Sequence, residues 1–157
     1  MEKEVIVILD NIRSALNVGA IFRSCNGAGV SKLYLTGITP HPPHPKVTKT
    51  ALGTENEVNF EYIKSATEVI SKYKEQGFSI YSLEENSRAV DYYSTELSQK
   101  AVLIFGHEIT GVSNELMDKS DAILKLPMKG KKNSLNVSNT VAIVLYDIMF
   151  SRVWTQE

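Results

Sequence analysis

AVLIFGHEITGVSNELMDKSDAILKL, residues 101–126, decides the fold. It opens on the apolar run 101–105 and closes on AILKL at 122–126, and neither run alternates with polar residues as a half-exposed strand would. A short helix is expected near 113–119 between them. A strand buried on both faces, a helix and a second such strand form a unit of a parallel sheet.

The same alternation extends outward. EVIVIL at 4–9 reads as a buried strand, followed by Val18, Ile21, Phe22 and Cys25 at helical spacing. KLYL at 32–35 and SIYSL at 79–83 read as further strands. PHPPHP at 40–45 reads as a stiff extended loop, because a residue before proline is pushed out of the α region. Ser65-Ala66-Thr67-Glu68 has the form of a capping box; Ala66, Val69, Ile70 and Tyr73 make one helical stripe, and Gly77 supplies the stop. Towards the C-terminus, a small basic loop leads into a helix over about 138–153. It carries one stripe of Val141, Val144, Leu145 and Ile148 and a second of Ala142, Tyr146, Met149 and Val153. So wide an apolar arc fits either a helix sunk in its own core or one packed on another subunit. Together these elements predict an α/β fold, a single domain over 1–157 with a mostly parallel sheet and helices on both faces.

Composition bounds the function. A chain of 157 residues, 43% of them apolar, can bury a sizeable core. Its 17 basic and 18 acidic residues leave a net charge of −1, so a polyanion must be met by a local basic patch. The single cysteine, Cys25, excludes an internal disulfide, and the run 5–9 is too short for a signal sequence or a membrane span. A reduced, cytoplasmic protein is expected.

Three common signatures fail. The first strand leads into DNIRSALNVG, which offers only Gly19 where a dinucleotide fingerprint needs three glycines. A phosphate loop ending at Gly130-Lys131 would need glycine at 125 and Ser or Thr at 132, where Lys125 and Lys132 stand. Three histidines and one cysteine argue against a metal site. What remains is in three places. In NIRSALNVGAIFRSC, residues 11–25, Asn17 is placed as a helix N-cap, and Gly19 implies a close backbone or ligand. Arg23, roughly 140° round the helix from Val18, leaves the apolar face. In FGHEITGVS, residues 105–113, Glu108 reads equally as the start of a helical turn or as a carboxylate facing a ligand at a strand C-terminus. The stretch from 134 to 139 spends Ser134, Asn136, Ser138 and Asn139 where one capping side chain would do.

Taken together, NVGAIFRS, FGHEITGVS and LPMKGKKNSLNVSN resemble, in order and spacing, the three motifs of the SpoU (TrmH) family of RNA ribose 2′-O-methyltransferases, in the SPOUT superfamily. The resemblance spans residues 11 to about 147. It implies S-adenosylmethionine as methyl donor, a homodimer, and a deep trefoil knot over about 101–150, against the general rule that chains avoid knots. Residue by residue it implies catalytic roles for Asn17, Arg23, Glu108, Ser134 and Asn136, with Glu108 and Asn17 holding Arg23 and its loop, and Ser138 or Asn139 left to cap the helix. It places Leu83, Gly106, Ile109, Leu126, Met128, Ser134 and Leu135 at the cofactor. Arg13, Arg23, Lys46, Lys49, Lys129, Lys131 and Lys132 are the basic supply for RNA, tRNA ahead of rRNA. The flanking extensions by which many relatives hold RNA are not seen, and the motifs differ from those of the compact branch that methylates the tRNA wobble nucleotide. An RNA-binding or assembly factor without turnover is the alternative; a nucleotide-binding oxidoreductase lacks its glycines.

Overall fold

The structure, a computed structural model, describes residues 2–152. Seven strands form one sheet: β1 (Glu4–Asp10), β2 (Lys32–Thr36), β3 (Phe60–Ile63), β4 (Ser79–Leu83), β5 (Val90–Asp91), β6 (Lys100–Phe105) and β7 (Ala122–Lys125). Their order is β3-β2-β1-β6-β4-β7-β5, and every pairing is parallel. β6 lies at the centre between β1 and β4; β1 pairs from Glu4↔Lys100 to Leu9↔Phe105 with β6 and from Ile6↔Lys32 to Asp10↔Thr36 with β2. The expected α/β architecture is therefore present.

Alternate residues of the apolar strands feed two separate cores. Val5, Val7, Leu9, Leu103 and Phe105 meet helices α1 (Ala15–Ala28) and α5 (Val137–Tyr146) on one face. Ile6, Ile8, Val102 and Ile104 meet α3 (Ala66–Glu75) and α4 (Asn114–Asp118) on the other. Each fully buried Val, Leu or Ile adds about 1.5–3 kcal/mol, which is why strands without period-2 patterning are stable here. Cys25 lies within the first core, where burial pushes its thiol pKa up and leaves it unreactive.

Gly19 answers to a close approach of backbone. A β-carbon there would run into the Thr50 hydroxyl, the Val47 carbonyl and the Ala51 amide of α2 (Pro45–Ala51). This helix is a departure from the loop expected over 40–45: residues 40–44 are a loop, but Pro45 takes the first helical position, where its missing N–H costs nothing, and His44 caps it.

Other local expectations need correction. Ser14, not Asn17, caps α1; its hydroxyl accepts from the Asn17 amide at 3.2 Å, which sets Asn17 within the first turn. At α3 the cap falls on Ser65 as expected, but its hydroxyl bonds Thr67 at 2.7 Å and no capping box forms. At α5 the cap is Asn136, whose Oδ1 accepts from the Ser138 amide at 2.9 Å and its hydroxyl at 2.6 Å. Neither Ser138 nor Asn139 is needed for that role. Regular α-helix ends at Tyr146 and continues as a π-helical turn, Asp147–Ser151. Arg152 closes it, donating to Asp147 at 2.9 Å and to the Thr95 carbonyl at 2.7 Å, while the Tyr92 hydroxyl donates to the same carboxylate at 2.6 Å.

The first α5 stripe is buried as read. The outward one is Ile143, Tyr146 and Phe150; Ala142 and Met149 are half-buried, Met149 against the core, and Val153 lies outside the described residues. Phe150 is 65% exposed and stacks beside Tyr146, which in turn sits over Gly27 of α1. Among the described residues no helix is long and apolar enough to cross a membrane.

Candidate active site

Strands β6, β4 and β7 are neighbours, so their C-termini open side by side. In open α/β sheets that edge is where ligands bind. Here the loops that leave it, together with the segment running into α5, enclose a cavity of about 520 Å³. Every residue expected at a cofactor lines it: Leu83 from the end of β4, Gly106 and Ile109 after β6, Leu126 and Met128 after β7, and Ser134 and Leu135 before α5. Glu108 and Asn136 line it as well. The volume suits a nucleoside-sized molecule. Its walls are mixed, with Leu83, Leu126 and Met128 apolar and Glu84, Glu108, Asn133 and Asn136 polar, and Ile109, 81% exposed, adds an apolar face.

The loop after β6 is held in one shape. The Ile109 and Thr110 amides donate to His107 Nδ1 at 3.0 and 3.1 Å, which makes that nitrogen the acceptor and leaves the ring proton on Nε2. The Gly111 amide donates to the His107 carbonyl at 2.8 Å. From the neighbouring strand end, Glu84 accepts the Val112 amide at 2.8 Å. Gly106 is required because a β-carbon there would come within 2.5–2.6 Å of the Gly111 and Val112 backbone. Glu84 escaped the sequence reading, where a carboxylate just past a buried strand, one position after Leu83, was its signal, and His107 was weighed there only among the three histidines of a metal site.

Glu108 joins this loop to α1. Its two carboxylate oxygens accept the Arg13 amide at 2.8 Å and the Ser14 amide at 2.7 Å. Partial burial alone would raise its pKa, but those two N–H donors, with a smaller share from His107, outweigh it and hold the carboxyl below its usual range. The bonds go to backbone and not to Arg23, so Glu108 fixes the loop at the start of α1 and leaves Arg23 to be held otherwise.

A second cavity of about 640 Å³ adjoins the first across His107, Glu108, Ile109 and Asn136. Arg13, Asn17, His44 and Lys46 line it. Two of the expected RNA contacts, Arg13 and Lys46, thus stand beside the candidate cofactor cavity. Lys49 lies on the exposed side of α2, and Lys129, Lys131 and Lys132 are exposed on the loop before α5 without lining either cavity. Arg23 is exposed two turns along α1, outside both. Among the described residues no group of three His, Cys, Asp or Glu side chains is arranged to hold a metal ion.

Comparison with known proteins agrees with this arrangement. Residues 4–146 match the model of the SpoU rRNA Methylase family. A tRNA (guanosine(18)-2′-O)-methyltransferase of Aquifex aeolicus is 30% identical over 152 residues, covering 96% of this chain and 71% of the relative. The crystal structure of the A. aeolicus TrmH/SpoU tRNA modifying enzyme superposes with a TM-score of 0.82 at 29% identity, over 94% of this chain and 75% of the other. An AdoMet-bound rRNA methyltransferase from Sinorhizobium meliloti superposes with a TM-score of 0.84 at 26% identity, over 94% of this chain and 56% of that one. A family match over nearly the whole described chain, on a parallel sheet with its cavity at the strand ends, shows that this protein belongs to the SpoU methylase family.

Proposed function

We propose that the protein transfers a methyl group from S-adenosylmethionine to a ribose 2′-hydroxyl of RNA, with tRNA ahead of rRNA as substrate. The observation that carries this is the cavity at the ends of β4, β6 and β7, into which all seven expected cofactor residues converge. The relative named for tRNA 2′-O-methylation and the AdoMet-bound neighbour support it. Nothing favours the alternative of an RNA-binding factor without turnover.

When bound, S-adenosylmethionine supplies a methyl group already activated by a sulfonium. Leu83, Leu126 and Ile109 would hold its adenine by apolar contact, and the backbone around Gly106 and Ser134 its polar edges. Methyl transfer to the 2′-oxygen would leave the cofactor as a neutral thioether and would release the hydroxyl proton to solvent or an RNA phosphate. Arg23 orients the RNA and stabilises negative charge developing on that oxygen, a task suited to a planar, permanently charged fork. Since Arg23 stands outside the cavities of its own protomer, it serves the site of a partner. The partner would pack on the exposed Ile143, Tyr146 and Phe150 stripe of α5 beside α1. Asn17 and Asn136 border the RNA side, and Ser134 the cofactor side.

The same reading includes a trefoil knot over about 101–150, one methyltransferase domain over 1–157 and a cytoplasmic location. The packing of α5 on α1, and the shared lining of one cavity by Leu126, Met128 and Ser134 with the ends of β4 and β6, support the knot.

The test is methyl-labelled cofactor with bulk tRNA and, separately, rRNA, followed by nuclease digestion. The expected product is a 2′-O-methylated nucleotide from tRNA. Label on a base, or none on RNA, refutes the assignment.

A further inference from the structure

The PHPPHP loop is not absorbed by any of the roles above. It starts at Gly37, whose amide donates to the Lys64 carbonyl at 3.1 Å, and at Ile38, whose amide donates to Asn11 Oδ1 at 3.0 Å. It ends at His44, which caps α2. Both ends border the site: Ile38 and Asn11 line a cavity with His107 and Glu84, and His44 and Lys46 line the one with Glu108 and Asn17. Between these ends the His41 ring lies against the Tyr62 ring, with centroids 4.8 Å apart and planes 35° apart.

Both rings are exposed, yet both are fixed. The Tyr62 hydroxyl donates to the Gly37 carbonyl at 2.7 Å. His41 Nδ1 lies 3.0 Å from the Pro42 carbonyl, which can only accept, so that nitrogen carries the proton and Nε2 is left as an acceptor. Two aromatic rings are thus held in water by hydrogen bonds and not by a core, since Tyr62 is 41% exposed on the edge strand β3. Arg13 and Lys46 put positive charge on the side of the loop facing the candidate active site.

We propose that His41 and Tyr62 form a stacking platform for a nucleobase of the RNA substrate, a nucleotide near the one that is methylated. Sequence-specific binding of RNA relies on bases splayed out and stacked on aromatic side chains, and a rigid platform loses little entropy when a base arrives. The free Nε2 accepts a hydrogen bond from the base or its sugar, so the contact carries some base preference. This inference rests on the methyltransferase reading and deepens it, by making the loop after β2 a determinant of which RNA is taken.

The experiment measures kcat and KM for tRNA with labelled cofactor, and binding of S-adenosylmethionine by calorimetry. His41→Ala should raise KM for RNA about 10-fold, within the range for loss of one stacked base, with kcat and cofactor binding near wild type. His41→Trp should restore most of the loss. The salt dependence of RNA binding should keep its slope in His41→Ala, because stacking releases no counterions. A slope lowered by about 0.7–0.9 would make His41 a phosphate contact and overturn the platform. An unchanged KM in both His41→Ala and Tyr62→Ala would also overturn it. Wild type that methylates no RNA would overturn the parent reading and this one together, and that outcome appears before any variant is made.

Discussion

Replacing Gly106 by alanine adds one carbon at the tightest point of the candidate cofactor site. The new β-carbon would lie 2.5 Å from the Val112 amide nitrogen and 2.6 Å from the Gly111 carbonyl, whereas ordinary contact begins near 3.4 Å. Backbone must therefore move by 3.4 − 2.5, or about 0.9 Å. The atoms that must yield are tied down, Val112 by Glu84 at 2.8 Å and Gly111 by the His107 carbonyl at 2.8 Å. A shift of that size stretches at least one of these bonds beyond useful range. Overpacking of this kind costs about 1–3 kcal/mol, and loss of a bond to the Glu84 carboxylate about 1.5–3 kcal/mol more if it breaks outright. The expected outcome is a loss of about 1–3 kcal/mol in urea unfolding, rising to about 2.5–6 kcal/mol if the Glu84 bond breaks, and S-adenosylmethionine affinity weakened at least 10-fold in calorimetry of the folded variant, since the loop no longer shapes the cavity. Stability and affinity both within experimental error of wild type would refute the reasoning, because they would mean that the loop is soft and its tight packing incidental.

Arg23→Ala should bind S-adenosylmethionine normally and lose methyl transfer by about 10²–10³-fold, with Arg23→Lys failing to restore it; weakened cofactor binding in calorimetry would count against the separation of the two sites. Phe150→Asp or Tyr146→Asp should yield monomers by sedimentation and lose activity in parallel, whereas an intact dimer would move the interface elsewhere. Lys131→Ala should leave cofactor affinity within about twofold of wild type, since Lys131 does not line the cavity. For Glu108 the folded carboxyl titrates below its unfolded value of about 4.3, so the unfolded chain takes up the proton first and stability falls as pH drops through that value towards the folded one. Glu108→Gln should lose that part of the acid dependence; identical urea midpoints against pH below about 5 in the two proteins would show that the carboxylate bonds to Arg13 and Ser14 are not formed in solution.

The sheet was legible because its strands are uninterrupted apolar runs, and period and length alone identify EVIVIL, AVLIF and AILKL. What could not be read was their order. That β6 inserts between β1 and β4 is fixed by long-range pairing, to which no local pattern refers. The two-residue β5 carries no periodicity at all. Caps were misplaced wherever several small polar residues competed, as with Ser14 against Asn17 and Asn136 against Ser138, since each has the right chemistry and only the chain path selects one. Helix α2 was hidden by its own prolines, although Pro45 was a signal for a helix start. The expected cofactor residues that line the cavity at the strand ends were legible by resemblance. Glu84 and His107 were not, because they act on neighbouring backbone and leave no spacing to recognise.

The two rims of the sheet differ from its centre in a way that bears on how the protein meets other molecules in a crowded cell. A parallel sheet has unsatisfied N–H and C=O groups along both outer strands, and a long flat rim recruits further strands into aggregates. Here one rim is β5, only two residues long, and the other is β3, four residues that carry Glu61 in an ion pair with Lys32 at 2.8 Å. Neither is a good template for strand addition. Self-association by way of backbone is thereby discouraged at both ends, and the exposed Phe150 and Tyr146 side chains are left as the surface on which the proposed dimer would form.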